Sequence, residues 1–280
     1  MTSPALWQIE GGNGDGVALI VNVPHAGTYL PPAIALRLTA AGMTVPDTDW
    51  YVDRLYDFVP SLGATLMVAT HSRIVVDLNR DPSGLEMYPG ASNTEICPTS
   101  TFHDEPVYKT GMEPDAAVIR SRIEQYWLPY HAQLTAEIER IKHRHGYCIL
   151  LDGHSIVSMA PRFFAGRLPD LSLGTADGNS CAASLAQTAF AGLAGAGGFS
   201  AVHNGRFKGG HITRHYGKPT NKVHALQLEM AQCCYMDEAA PHNYDERRAD
   251  TLRTLLKRLV GKLVDWRPMI GDEAQTKEQC

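Results

Sequence analysis

Short apolar runs recur along the chain, and most of them end in polar, glycine-bearing turns. Residues 17–23 (VALIVNV) lead into PHAG, and residues 64–69 (ATLMVA) and 73–78 (RIVVDL) follow. Residues 147–151 (YCILL) precede DGHS, and residues 223–230 (VHALQLEM) are the last such run. Apolar runs of this length bounded by turn residues predict strands buried on both faces. Between them the period changes. Asp47, Thr48 and Asp49 after Pro46 have the composition of a helix N-terminus, and Val52, Leu55, Tyr56 and Val59 form the apolar stripe behind it. Across residues 114–144, Ile119, Ile123, Trp127, Tyr130, Leu134, Ile138 and Ile141 recur at spacings of three and four. That spacing predicts one long helix, bent by Pro129 and stopped by Gly146. Residues 181–193 read as an Ala-rich helix ended by GAGG, and Leu252, Leu255, Leu256, Leu259, Val260 and Leu263 mark a final amphipathic one.

Strands alternating with helices predict an α/β three-layer sandwich with a central mixed, mostly parallel sheet. We expect a single domain over residues 1–280, with its core at about 17–265 and a polar, frayed tail after Pro268. Residues 81–104 and 160–178 are rich in Pro, Gly and Ser without a period, and are expected as long loops over the site. No internal repeat or low-complexity segment interrupts this pattern.

Composition narrows the class. The chain has 280 residues, 44% hydrophobic and 20% charged, which suits an ordinary globular protein. A formal net charge of -5 without a basic block gives nucleic-acid binding no electrostatic support. An anionic substrate would therefore need local arginines. No stretch approaches the roughly 20 apolar residues that span a bilayer. The N-terminal segment lacks the basic and apolar regions of a secretory signal. The six cysteines, Cys97, Cys148, Cys181, Cys233, Cys234 and Cys280, show no CxxC pairing and read as free thiols, so the cytoplasm is the expected address.

Candidate chemistry collects just after the predicted strands, at the edge where α/β clefts form. His25 follows the first strand, Asp152 and His154 follow the fourth, and Glu229 lies near the end of the fifth. Asp47, Asp49 and Asp53 sit at a helix start that would face the same edge. Two imidazoles and one carboxylate with an open fourth position is the donor set of catalytic zinc. A further carboxylate outside the metal shell can move the proton of an attacking water. His25, one Asp of the segment 47–53, His154 and Glu229 supply such a set. Any single one of the twelve histidines is more commonly a surface or hydrogen-bonded residue, and Asp49 serves equally well as a helix cap. Glu229 stands apart, because a carboxylate inside an apolar strand is costly without a partner or a function.

Two further groups suit an acidic ligand. Arg73, Asn79 and Arg80 flank the run 73–78, and guanidiniums make forked contacts to carboxylates. A structural ion pair of Arg80 with Asp77 or Asp81 is the alternative. GGHITRHYG at residues 209–217 offers Thr213, Arg214 and Tyr216 as donors, or is a plain turn. No phosphate-binding loop or GxSxG elbow is present.

PHAG, DTDWYVDRLYDF, HSRIVVDLNR, LLDGHS, GGHITRHYG and LQLEM occur in that order over nearly the whole chain. Together they resemble the N-formylglutamate amidohydrolase family. The resemblance implies a zinc-dependent exopeptidase-like fold, similar to the zinc carboxypeptidases and aspartoacylase, with one zinc ion at the sheet edge. It implies hydrolysis of N-formyl-L-glutamate to formate and L-glutamate, the last step of one bacterial route of histidine degradation. Carried onto this chain, it makes His25 and His154 the histidine ligands, Asn79 and Arg80 the carboxylate-holding pair with Arg73 beside them, and Glu229 the general base. The carboxypeptidase pattern has its acidic ligand three residues after the first histidine, where this chain has Thr28. The segment DTDWYVD is then the source of the acid, with Asp49 preferred over Asp53. Another small acidic N-acyl amino acid or peptide as substrate, or a non-catalytic zinc or small-acid binding protein, are the alternatives.

Overall fold

The computed structural model describes residues 3–12, 16–85 and 93–269. The polar tail expected after Pro268 and part of the predicted loop 81–104 lie largely outside these residues. Seven strands form one sheet: β1 (Trp7–Gly11), β2 (Leu19–Val23), β3 (Thr65–Ala69), β4 (Cys148–Ile156), β5 (Leu171–Gly174), β6 (Ala201–His203) and β7 (Val223–Ala231). Their order is β1-β3-β2-β4-β7-β5-β6. The central pairs β3/β2, β2/β4 and β4/β7 are parallel, β1/β3 and β5/β7 are antiparallel, and β5/β6 is parallel. The sheet is thus mixed and mostly parallel, in an α/β fold.

Every residue of β2, β4 and β7 is buried, which is why these strands read as apolar runs. Helices cover both faces. Successive residues of β4 show this directly. Asp152 accepts from Asn22, which in turn accepts from Tyr130 of the helix Leu128–His145. A Cβ on the next residue, Gly153, would lie 2.8 Å from the ring of Tyr56, which follows the single helical turn Val52–Leu55. Successive strand residues point to opposite faces, so these contacts belong to two different layers. On Glu246–Asp265 the predicted leucine stripe is buried, and that helix packs against Ala183–Leu193.

The long predicted helix is a continuous rod with an irregular centre. Ala116–Arg122 passes through a π-helical turn, Ile123–Trp127, into Leu128–His145. Pro129 is the second residue after that turn. Its missing N–H cannot serve the carbonyl four residues back, and the wider turn accommodates the mismatch.

One predicted strand is absent. Residues 73–78 run as buried turns, with Val75 N donating to Ser72 O at 2.9 Å and Asp77 N to Ile96 O at 2.7 Å. The carbonyls of Ile74 and Val75 accept from the buried guanidinium of Arg122, at 3.3 and 3.2 Å, in place of a neighbouring strand. Its apolar side chains split between two clusters, with Val76 and Leu78 in the main core and Ile74 and Val75 in a smaller one around Leu38 and Val107. Conversely, β5 lies inside the predicted loop 160–178, and β1 and β6 lie outside the predicted strands. β5 and β6, with four and three residues, are too short for a period to show, whereas β1 alternates half-buried Trp7 and Ile9 with exposed Gln8 and Glu10 and so forms no apolar run. Among the described residues no helix is long and apolar enough to cross a membrane.

His131 gives this fold a pH dependence away from the sheet edge. It is buried, its Nε2 donates to Leu78 O at 2.8 Å, its Nδ1 lies 2.9 Å from the Tyr216 hydroxyl, and Trp127 stacks on its ring. Burial pushes its pKa down to about 3. An imidazole that binds its proton less readily when folded than when unfolded favours folding above the unfolded value near 6.5, and that stability is lost as pH falls from there toward 3. Between pH 7 and pH 5 the wild type should lose on the order of 2 kcal/mol through this residue. His131→Gln should lose correspondingly less over the same interval in urea unfolding. Equal losses in the two proteins would show that His131 is not the group responsible.

Candidate active site

The strand register brings the chemistry together. β4 runs five residues beyond the predicted apolar run and takes in His154, while β7 matches its predicted run to within one residue and holds Glu229 as expected. Parallel pairing sets His154 beside Glu229 and Asp152 beside Gln227. His25 lies two residues past β2, where Gly27 of PHAG packs so closely that a Cβ would sit 2.4 Å from the Thr70 carbonyl carbon. Asp49 arrives from the connection that follows, its N–H donating to His25 O at 3.0 Å.

Each imidazole is held from behind by a carboxylate. His25 Nε2 lies 2.8 Å from Asp77 Oδ1, and His154 Nε2 lies 2.9 Å from Asp152 Oδ2. Both Nδ1 atoms therefore face Asp49, whose Oδ2 is 3.8 Å from that of His25 and 3.0 Å from that of His154. One ligand atom from each of the three residues lies within 4.8 Å of the others. His25 Nδ1 and Asp49 Oδ1 are buried and without a hydrogen-bond partner. Buried acceptors without a hydrogen bond are costly, and two of them within one cluster of metal-type ligands fit a cation. A nitrogen and oxygen donor set backed by carboxylates suits a divalent ion such as zinc.

The other candidate acids are elsewhere. Asp53 is exposed, and Asp47 accepts from the Phe102 N–H. Asp49 caps no helix through its side chain, since that carboxylate accepts from Ser155 N at 3.1 Å.

The electrostatics agree with a site that needs positive charge. Burial opposes ionisation of Asp77, but the Arg73 guanidinium 2.6 Å away and His25 outweigh it and hold this carboxyl well below the usual range. Burial also disfavours a charged His154, yet Asp152 and Asp49 raise its proton affinity well above normal. For His25 burial dominates and favours the neutral ring, the form that ligates metal. Glu229 is pushed up to about 8, chiefly by burial and against the pull of His154.

A cleft opens over this floor. His25, Asp49, His154 and Glu229 line it, together with Arg73, Asn79 and Arg80. Arg73 is committed largely to the protein's own acids, Asp77 and, at 3.6 Å, Asp49. Arg80 donates to Thr94 Oγ1 rather than forming the ion pair with Asp77 or Asp81 that its sequence neighbours suggest. Asn79 Nδ2 lies 3.0 Å from His154 Nε2, while its Oδ1 accepts from Ile212 N.

Thr213, Arg214 and Tyr216 do not line the cleft. They belong to the short helix His211–Tyr216, which packs on β4 and β7. Thr213 is buried, Arg214 Nε donates to Gly209 O, and Tyr216 stacks on His131. Only Gly210 of that motif reaches the cleft.

Several cleft residues were not anticipated. Phe102, Phe163, Arg206 and Phe207 come from segments without periodicity, and Arg206 is fixed through Nε to Phe163 O at 3.1 Å, a contact between loops that no local pattern encodes. Asn22 had a usable signal, as a polar residue inside an apolar strand. It links Tyr130 to Asp152 at 2.7 and 2.8 Å, and so to His154.

Residues 17–236 match the family described as N-formylglutamate amidohydrolase. The chain is 46% identical over 250 residues to an N-formylglutamate deformylase of Pseudomonas aeruginosa, covering 89% of this chain and 94% of that one. It is 44% identical over 248 residues to an N-formylglutamate deformylase of Pseudomonas putida, covering 89% and 92%. Among solved structures, an N-formylglutamate amidohydrolase from Ralstonia eutropha JMP134 superposes with a TM-score of 0.78 at 28% identity, covering 93% of this chain and 98% of that one.

The packing at Gly210 is directly testable. A Cβ there would come within 2.3 to 2.6 Å of the Asn79 amide, while Gly210 N donates to Gln227 Oε1. Gly210→Ala should displace Asn79 and cost about 1–3 kcal/mol, as overpacking of a filled site does. Thermal unfolding measures this, and an unchanged midpoint would reject the close approach.

Proposed function

The chain belongs to the N-formylglutamate amidohydrolase family, and on that premise we propose that it hydrolyses N-formyl-L-glutamate to formate and L-glutamate, closing a route of histidine degradation. One observation carries this most directly: His25, Asp49 and His154 converge, with unpaired buried donor atoms, beside Glu229 on the adjacent strand. These three residues would hold a zinc ion. When bound, such an ion supplies Lewis acidity toward a carbonyl oxygen and makes hydroxide available near neutral pH.

The remaining chemistry is done by the chain's own groups. Glu229 takes the proton of the attacking water and returns it to the departing amine nitrogen of glutamate. Its buried carboxyl, pushed up to about 8, holds a proton firmly enough to deliver it, and positive charge at the floor of the cleft draws it back toward the ionised form. Asp77 and Asp152 fix the orientation of the imidazoles, Arg73 keeps Asp77 ionised, and His154 and His25, with Arg73 behind them, do the same for Asp49 against its burial. Arg80 and Arg206 line the same cleft and are the groups we assign to the substrate carboxylates. Phe102, Phe163 and Phe207 restrict water around the scissile amide.

Glu229→Gln should retain its metal and lose about 10²–10⁴-fold in kcat. Wild-type turnover in that variant would remove Glu229 from the proton-transfer role. Chelator treatment followed by dialysis should abolish hydrolysis, with zinc restoring it, and full activity of metal-free protein would refute the ion's involvement. Arg206→Ala should lower kcat/KM for formylglutamate about 10–100-fold, the worth of one charge-assisted contact. Formyl-, acetyl- and succinyl-amino acids assayed in parallel identify the acyl group, and faster turnover of a larger one would favour a different N-acyl amino acid amidase.

A further inference from the structure

A second group of metal-type donors lies outside the cleft. β7 ends at Ala231, and the following turn Gln232–Cys234 carries two adjacent cysteines. Asp170, immediately before β5, faces them: its Oδ1 is 3.6 Å from Cys234 Sγ, and ligand atoms of Asp170, Cys233 and Cys234 all lie within 4.8 Å of one another. None of the three lines the catalytic cleft, and all three line a separate surface hollow.

The group is held in place by contacts that leave its donor atoms facing inward. Asp170 Oδ2 accepts from Ser200 N at 2.9 Å and from Ser200 Oγ at 2.7 Å, so Oδ1 is the oxygen turned to the sulfurs. Ala231 N donates to Asp170 O at 2.8 Å, fixing the end of β7 against the start of β5. Cys233 is pinned through its backbone, its N–H donating to Glu238 Oε1 and its carbonyl accepting from Arg248. A cation already occupies the open side. Arg167 Nη2 lies 3.3 Å from both Cys233 Sγ and Asp170 Oδ1, on a side chain that is 61% exposed and able to withdraw.

We propose that Asp170, Cys233 and Cys234 form a second cation site, selective for thiophilic divalent ions of the zinc and cadmium class. Two sulfurs with one carboxylate oxygen favour a borderline or soft cation over magnesium or calcium, whose preferred partners are oxygens. Both thiols give up their protons to solvent as the ion binds. Two thiolates, one carboxylate and a divalent ion leave a single negative charge, which Arg167 balances from outside.

Cadmium titration of the full chain, followed by thiolate-to-cadmium charge-transfer absorbance, tests this without reference to turnover. The catalytic candidates His25, Asp49 and His154 contain no sulfur and contribute nothing to that signal. The wild type should show a band saturating at one ion per chain, and Cys233→Ser/Cys234→Ser should abolish it. Cys233→Ser alone, at the less buried of the two positions, should reduce it by roughly half and weaken binding. Asp170→Asn, which keeps both sulfurs, should retain the band and bind about tenfold more weakly or worse. Absence of the band in the wild type, or a full band in Cys233→Ser at wild-type affinity, would overturn the proposal.

Discussion

Parallel pairing of β4 with β7 in a single register is the constraint on which the site depends. It sets His154 beside Glu229 and Asp152 beside Gln227 at one edge of the sheet. A slip of one residue would turn either side chain toward the opposite layer, where Tyr56 closes over Gly153. The register is secured by burial, since both strands are enclosed over their full length and have no solvent face on which to slide. The stability of the core and the geometry of the chemistry therefore come from the same pairing.

Around that edge the charges are unevenly matched. Asp49, Asp77, Asp152 and Glu229 are all buried, and Arg73 is the buried guanidinium among them. Buried carboxylates are tolerated when each finds a partner, and here Arg73, the two imidazoles, Asn22 and the Ser155 N–H supply most of these contacts. Two atoms at the centre lack a hydrogen bond, His25 Nδ1 and Asp49 Oδ1, the latter 3.6 Å from Arg73 Nη1. The fold thus maintains an acidic, desolvated point with two acceptors that lack hydrogen bonds, which is the electrostatic condition for capturing a cation. The same surroundings explain why Glu229 holds its proton so tightly and why Arg73 faces inward.

Much of the scaffold was legible in the sequence because central strands and amphipathic helices carry their burial in their pattern. β2, β3, β4, β7 and the leucine-lined helix Glu246–Asp265 were all marked by apolar runs or stripes. The segment 73–78 carried the same signature and is no strand, because an apolar run reports burial and not the identity of its hydrogen-bond partners. There the partner is the side chain of Arg122. Thr213, Arg214 and Tyr216 lie outside the cleft lining for a related reason: a glycine pair beside polar residues marks a turn, while the direction that turn faces depends on what packs beneath it.

By itself the sequence determined which segments are buried, their order, and the residue types at their ends, since these follow from local periodicity and from the cost of placing His25, His154 and Glu229 next to apolar strands. The preference for Asp49 rests on the resemblance and its place at a helix start, and tertiary structure is what sets it, rather than Asp47 or Asp53, against the imidazoles, through where a short turn points each of them. Tertiary structure also decided that Arg206 and three phenylalanines from separate loops share a cleft, and that Asp170 meets Cys233 and Cys234. Contacts between segments far apart in the chain have no period to betray them, and only packing brings them within reach.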